Sequence, residues 1–179
     1  MRATTRPPCG AWCARTGCGR WAGPVGVPLP RPWRSWRREL LRSAVPTVNT
    51  RWTSRRIAAP AAVMWELLID VGCWPEWGPS VRRATLATSR FELGSKGFVR
   101  TVIGLELPFE VTRFEEGRSW SWSVAGCPAT DHVVEARGPD MSSVAFGVPW
   151  IAAPYLVVCR MALRRLDELG RQEVTPQVP

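Results

Sequence analysis

The single histidine of the chain, His132, is the residue best suited to acid–base chemistry. An unperturbed imidazole titrates close to neutral pH, so it can gain or lose a proton under ordinary conditions. One face of its predicted strand carries His132 between Thr130 and Val134, whereas the other face carries three charged side chains. Because burying that charged face would be costly, we expect His132 to point inward. Two interpretations stay open: a hydrogen-bonded core histidine, or a polar anchor or general acid/base for a carbonyl-bearing ligand.

Motifs for other kinds of chemistry are missing from the sequence. The body contains no GxSxG nucleophile elbow, phosphate-binding loop, dinucleotide fingerprint or metal motif. Near the N-terminus, Cys9, Cys13 and Cys18 form no CxxC pair and have no histidine nearby, so they do not match the spacing of a zinc site. The sequence therefore predicts no metal, no cofactor and no catalytic residue, with His132 as the alternative.

The formal charge of +9 is distributed very unevenly along the chain. Residues 1–48 contain nine arginines and one acidic residue, a balance of +8, so the rest of the chain carries only +1. That first segment shows no sustained helical or strand periodicity, and we predict that it is disordered. It could bind an anionic polymer, in which case binding would weaken with salt and vanish on deletion of residues 1–48. The nearly neutral body has no basic patch, so no nucleic-acid partner is expected.

The body has the pattern of a strand, a helix, a short helical turn, six strands and a long helix. The first strand ends at Thr53–Ile57, a helix follows at Pro60–Asp70, and two tryptophans in Cys73–Pro79 indicate a helical turn. Six segments of period two, separated by glycine-containing turns, favour antiparallel hairpins: Val81–Thr88, Lys96–Ile103, Leu107–Phe114, Arg118–Ala125, Thr130–Arg137 and Ser142–Trp150. The last helix is predicted over Ala153–Leu169, with Gly170 as its cap.

These elements predict an α+β fold, a curved antiparallel sheet of about seven strands against one long C-terminal helix, with two short helices after the first strand. The apolar stripe of the long helix includes Tyr155 and Cys159, whereas Asp167 falls on its charged side. In the strand at 119–124, serines alternate with large apolar residues, so one face is predicted to be wet and the other covered.

Several of these pieces together resemble a known superfamily. They are the order of elements, the segment DVGCWPEW at Asp70–Trp77, the segment Gly104–Phe109, the tryptophan pair Trp120 and Trp122, and the closing helix from Ala153. The chain is similar, over residues 49–169, to the START-like or SRPBCC superfamily, and most to its polyketide cyclase/dehydrase and lipid-transport branch. The resemblance implies the helix-grip fold and a cavity for an apolar small molecule between sheet and helix. It implies no shared catalytic motif, since some members are cyclases or aromatases and many only bind or carry a ligand.

The leading hypothesis is a binding protein for a small hydrophobic ligand, lipid-like or polyketide-like. Its predicted wall consists of apolar and aromatic residues and the histidine: Phe109, Trp120, Trp122, His132, Phe146, Tyr155 and Cys159. The alternatives are a polyketide cyclase, aromatase or dehydratase using His132 as acid/base, or a tryptophan stripe that only fills the core. The ligand-binding domain is predicted at residues 49–170, followed by a flexible tail at 171–179. No export signal and no apolar run of membrane-spanning length is found, so we expect a cytoplasmic protein.

The composition also predicts where translation of the natural protein starts. Arginine outnumbers lysine 23 to 1, as codons of a GC-rich genome would produce. Upstream sequence translated from such a genome would have the composition of residues 1–48, so the hypothesis places the natural start near 45–49. Peptide mapping of the native protein checks this: no peptide from residues 4–31 should be recovered, and recovering one contradicts the hypothesis.

Overall fold

The computed structural model describes residues 49–174, and the predictions for residues 1–48 lie outside this range. Its seven strands are β1 Thr50–Ile57, β2 Val81–Leu86, β3 Lys96–Thr101, β4 Glu106–Glu115, β5 Ser119–Val124, β6 Cys127–Gly138 and β7 Met141–Pro149. Its helices are α1 Ala61–Ile69, α2 Trp74–Trp77, a 3-10 helix Trp150–Tyr155 and α3 Leu156–Val174. The predicted helix-grip architecture is confirmed. None of the described helices combines the length and the apolar character needed to cross a membrane.

All seven strands form one sheet in the order β1-β7-β6-β5-β4-β3-β2, and every neighbouring pair is antiparallel. Strands β2 to β7 form a meander, and β1 joins at its far edge beside β7. The long helix α3 packs against β1, α1 and α2, while α1 also packs against β6 and β7. The sheet and the helices therefore enclose one core, which places the inward faces of β5, β6 and β7 under α2 and α3.

The turn between β5 and β6 is tighter than the sequence predicts. The expected break at residues 126–128 is wrong for Cys127 and Pro128, which belong to β6, and Val124 pairs directly with Cys127. Only Ala125 and Gly126 form the loop, with φ values of 50° and 79°. Two successive positive φ angles are typical of two-residue hairpin turns, whose twist matches that of the strands.

The C-terminal helix does not end where the sequence predicts. Gly170 is buried inside α3, which continues to Val174, so residues 171–174 are helical rather than part of a flexible tail. A Cβ atom at Gly170 would lie 2.7 Å from the Met64 sulfur and 3.2 Å from the Ala59 Cβ. The glycine is therefore explained by the close approach of α3 to Ala59 and to Met64 of α1, and not by a helix cap.

The predicted solvent-facing position of Asp167 is also wrong, since this side chain is buried. The Nε and Nη2 atoms of Arg55 on β1 lie 2.9 and 2.7 Å from its Oδ2, and Arg171 Nη2 lies 2.8 Å from the same oxygen. A buried carboxylate is tolerated when opposite charges compensate its desolvation. Helical periodicity placed Asp167 outside because it cannot reveal a cationic partner on a distant strand.

Gly97 on β3 generates a testable prediction because Phe109 of β4 lies directly over it. A Cβ at Gly97 would overlap the carbonyl oxygen of Thr85 and come within 2.6 Å of the Phe109 ring. Since the backbone cannot yield easily, Gly97→Ala should lower the free energy of unfolding by about 1–3 kcal/mol, measured by urea denaturation. The control is Gly138→Ala, whose added Cβ would meet no atom within 4 Å. Equal stability of the two variants would contradict this packing argument.

Candidate ligand-binding site

Three aromatic side chains stand in register across the concave face of the sheet. Trp120 of β5 is opposite His132 of β6, and His132 is opposite Phe146 of β7. The Trp120 and His132 rings stack with centroids 3.8 Å apart and an interplanar angle of 17°, and Phe146 meets His132 edge-on at 4.7 Å. The inward orientation predicted for all three is observed, because alternation along the strands places them on the same face.

The two tryptophans of α2 complete this aromatic cluster from above the sheet. Trp74 and Trp77 donate their indole Nε1–H groups to the backbone carbonyls of Leu68 and Leu67, both at 2.9 Å. These carbonyls belong to the last turn of α1, where helix geometry leaves carbonyl groups without internal partners. The Trp74 ring lies parallel to Trp120, with an interplanar angle of 4°. Neither of these α2 tryptophans is among the wall residues that the sequence predicts.

A small cavity lies between α2, the inward face of β5–β7 and the start of α3. The centre of a water molecule can move within a volume of about 40 Å³ there. Its lining contains Trp74, Trp77, Gly78, Pro79, Ser80, Val81, Trp120, Trp122, Thr130, His132, Phe146, Tyr155, Val158, Cys159 and Ala162. None of these side chains is acidic, lysine or arginine.

The structure brings six of the seven predicted wall residues to this cavity. They are Trp120, Trp122, His132, Phe146, Tyr155 and Cys159. The seventh, Phe109, is buried behind the wall, with its ring centroid 5.3 Å from Trp74 and 5.5 Å from Trp122. Phe109 therefore supports two wall residues without lining the cavity. The role of the six in ligand binding stays a prediction.

The cavity is narrow because the rings fill most of the interior. One water molecule needs roughly 10–15 Å³ by this measure, so the space has room for about three. Trp120 belongs both to the packed core and to the cavity wall, since it borders the cavity and yet is only 1% exposed. The two interpretations of the tryptophan stripe, a packed core and a cavity wall, thus describe the same residues. A ligand larger than a few water molecules has to displace a lining side chain.

Thr130 joins two of the ring nitrogens in a short hydrogen-bonded series. Trp122 donates its Nε1–H to Thr130 Oγ1 at 2.8 Å, and the same oxygen lies 3.2 Å from His132 Nε2. Thr130 is itself buried. The alternation of residues 130–134 placed Thr130 on the inward face, but nothing in the sequence shows that it bonds to both rings.

His132 is uncharged at neutral pH in this environment. Burial lowers its pKa from 6.5 to about 3, and a hydrogen bond with the backbone of Trp120 opposes that change only in part. Within residues 49–174, the Nε1 atom of Trp120 has no hydrogen-bond partner. A general acid or base works best when its pKa is close to the working pH. The geometry therefore favours His132 as a polar group in the wall over His132 as a proton-transfer group.

The mouth of the cavity is bridged by a hydrogen bond between Ser80 and Tyr155, whose oxygens are 2.6 Å apart. Burial raises the pKa of Tyr155, and the bond to Ser80 opposes this. Deeper in the cavity, burial raises the pKa of Cys159 to about 11, so its sulfur is a thiol at neutral pH. Since the thiolate is the nucleophilic form, Cys159 serves as an apolar wall residue.

The sequence of the chain matches a known protein family. The sequence model of the family described as "Polyketide cyclase / dehydrase and lipid transport" matches residues 50–138. The chain belongs to the START-like (SRPBCC) superfamily. The match covers Trp120, Trp122 and His132, whereas Tyr155 and Cys159 lie beyond its end. No curated protein matches the chain.

Three solved structures illustrate the likeness of this SRPBCC chain to known folds. XoxI from Bacillus cereus shares 17% identity with a TM-score of 0.56, over 70% of this chain and 98% of its own. A protein from Bacillus thuringiensis shares 18% identity with a TM-score of 0.55, over 68% of this chain and 98% of its own. The di-domain aromatase/cyclase BexL of the BE-7585A biosynthetic pathway shares 15% identity with a TM-score of 0.56, over 72% of this chain and 48% of its own. At these identities the likeness shows the fold.

The uncharged state of His132 generates a prediction about stability and pH. As the pH falls, the unfolded chain takes up a proton near pH 6.5, whereas the folded chain does so only near pH 3. The unfolded state then binds more protons, so the stability due to the neutral histidine is complete above about pH 6.5 and is lost towards pH 3. We expect the free energy of unfolding to fall by about 2 kcal/mol between pH 7 and pH 5.

The control for this measurement is His132→Gln, which has no imidazole to titrate. Because His132 is the single histidine of the chain, the difference between the two pH profiles removes the contribution of the carboxylates. Parallel profiles for wild type and variant between pH 7 and pH 5 would show that the imidazole is not held in its neutral form.

Proposed function

We propose that this protein binds a small hydrophobic molecule, lipid-like or polyketide-like, in the cavity between α2, the sheet and α3. The observation that carries the proposal is a space lined by aromatic and small side chains, without acidic, lysine or arginine residues, around one buried neutral histidine. Binding sites for small molecules are typically concave and mostly apolar, with a few polar groups that orient the ligand. Membership of a superfamily that includes ligand-binding proteins supports the same proposal.

The size of the cavity indicates which side must move on binding. Its floor consists of strands β5, β6 and β7, which the backbone hydrogen bonds of the sheet hold in register. Its opposite side is held by side-chain contacts, among them the Ser80–Tyr155 hydrogen bond at the mouth. An exposed hydrogen bond of this kind contributes only about 1 kcal/mol, so it yields more easily than a sheet ladder. We therefore expect the ligand to enter where Tyr155 meets Ser80.

A substitution on α3 tests whether this cavity is the binding site. Val158 lines the cavity, whereas its neighbour Val157 is 59% exposed. Val158→Phe should fill the space and abolish binding, and Val157→Phe should leave binding unchanged. The measurement is native mass spectrometry of both variants and of wild type, each purified from the protein's own host. A co-purified small molecule is expected on wild type and Val157→Phe; its retention on Val158→Phe would place the ligand elsewhere.

Polyketide cyclisation or dehydration is the second candidate function. It is supported by the description of the matched family and by the likeness to BexL, an aromatase/cyclase. Within the cavity, His132 is the group whose ordinary pKa suits it to serve as acid/base, yet burial lowers this pKa to about 3. The geometry therefore gives more support to binding than to catalysis.

Turnover of a reactive poly-β-ketone separates the two functions. If the protein is a binding protein, wild type should cyclise the substrate no faster than it cyclises in buffer. If wild type accelerates the reaction, the His132→Ala variant shows whether the histidine takes part. Unchanged turnover in that variant would remove His132 from the mechanism, and a large loss would support the acid/base role.

A further inference from the structure

A groove lies on the outer face of the sheet, near the end of the sheet that β2 forms. The centre of a water molecule can move within about 240 Å³ there. Val99 of β3 is buried, whereas Phe98 and Arg100 on either side of it are exposed, so the groove is on the face of the sheet opposite to the core. We call it the outer groove, and its lining is Arg83, Thr85, Phe98, Arg100 and Glu106.

Two arginines of the outer groove lie opposite each other on neighbouring strands. Arg83 of β2 pairs with Arg100 of β3, and the alternation of the strands places both on the outer face. Like charges directly opposite each other destabilise a sheet. Within residues 49–174, no carboxylate oxygen lies within 4 Å of either guanidinium group. An anion bound between the two arginines would therefore relieve a repulsion that the described part of the chain leaves uncompensated.

The one acidic residue that lines the outer groove does not neutralise the two arginines. Glu106 of β4 is opposite Arg100, yet these two side chains form no ion pair. Farther along the same two strands, Lys96 is opposite Glu110 and does form an ion pair, at 3.7 Å. Two arginines and one carboxylate give the lining a net charge of +1, which favours an anionic ligand over a cationic one.

Phe98 adds an apolar surface beside the two arginines. Its side chain is 49% exposed, whereas each of the other four phenylalanines of the chain contacts another aromatic ring. Phe98 and Arg100 are two residues apart on one strand, so their Cα atoms lie roughly 7 Å apart and their side chains share a face. A planar ring that covers Phe98 therefore brings an acidic substituent within reach of Arg100.

We propose that the outer groove is a second binding site and that its ligand is a small aromatic carboxylate. Arg83 and Arg100 bind the carboxylate, since the planar guanidinium group matches carboxylate geometry, and the aromatic ring packs on Phe98. Glu106 weakens binding by like-charge repulsion. This inference goes beyond the proposed function, because the cavity has no lysine or arginine that would compensate a buried carboxylate.

Three probes separate the charge of the ligand from its ring: 2-naphthoate, the neutral 2-naphthamide, and acetate. Their affinities for the full chain are measured at pH 7 from the ¹H–¹⁵N shifts of the backbone amides of β2 and β3. At low salt, 2-naphthoate should bind about fivefold more tightly than either of the other two probes. Most of its advantage over 2-naphthamide should disappear at about 0.3 M salt, because exposed charges are screened.

Substitutions that remove the same charge from the same strand locate the site. Arg100→Gln and Lys96→Gln each delete one positive charge from the outer face of β3, but Arg100 lines the outer groove and Lys96 does not. Arg100→Gln should weaken 2-naphthoate binding about fivefold, and Lys96→Gln should change it by no more than about twofold. Glu106→Gln should strengthen it. Circular dichroism confirms that each variant is folded.

Several outcomes would overturn the inference. Equal affinity for 2-naphthoate and 2-naphthamide would show that the arginines do not bind the carboxylate, and equal affinity for acetate would show that the ring contributes nothing. Equal weakening by Arg100→Gln and Lys96→Gln, or by neither, would place the anion on other positive charges, such as the arginines of residues 1–48. Loss of 2-naphthoate binding in Val158→Phe would place the probe in the cavity instead. None of these results depends on whether the cavity binds a hydrophobic ligand.

Discussion

Two indole hydrogen bonds at the end of α1 hold the rest of the site in place. Trp74 and Trp77 satisfy the Leu68 and Leu67 carbonyls, so one short turn of helix is tied to the end of a longer one. This places Trp74 parallel to Trp120 and brings the aromatic rings of α2 onto the sheet. A four-residue helix has little stability of its own, and its position here depends on side-chain bonds and ring packing.

The consequence of this dense aromatic packing is chemical as well as mechanical. It removes water from His132, which keeps the imidazole neutral, and it leaves a cavity with room for only a few water molecules. The same environment raises the pKa of Cys159 from 9.0 to about 11, so its sulfur stays a thiol well above neutral pH. The three groups that could have made this a reactive centre, namely imidazole, thiol and phenol, are thus held in their uncharged forms. At neutral pH none of these three groups has a pKa close to the working pH, which is where proton transfer is most efficient.

The C-terminal half of α3 is held in position by an ion pair and by close packing. Arg55 reaches across from β1 to the buried carboxylate of Asp167, and Gly170 lets the helix approach Met64 and Ala59 closely. Asp167 and Gly170 lie in the C-terminal half of the helix, whereas the cavity residues Val158 and Cys159 lie near its start. The half of α3 away from the cavity is therefore anchored by an ion pair and tight packing, and the half at the cavity by apolar contacts.

The order of elements, the fold class and the inward face of β5 to β7 follow from the sequence alone, because strand alternation needs only neighbouring residues to be read. The orientation of Trp120, His132 and Phe146 was predicted in this way. Only the tertiary structure decided the rest: the tryptophans of α2 as wall residues, Thr130 between two rings, Phe109 behind the wall, and Asp167 and Gly170 inside the core. Each of these depends on a partner from another element, and local periodicity carries no information about which distant atom a side chain will meet. For the same reason, the sequence could predict a cavity between sheet and helix, but not how completely its own tryptophans would fill it.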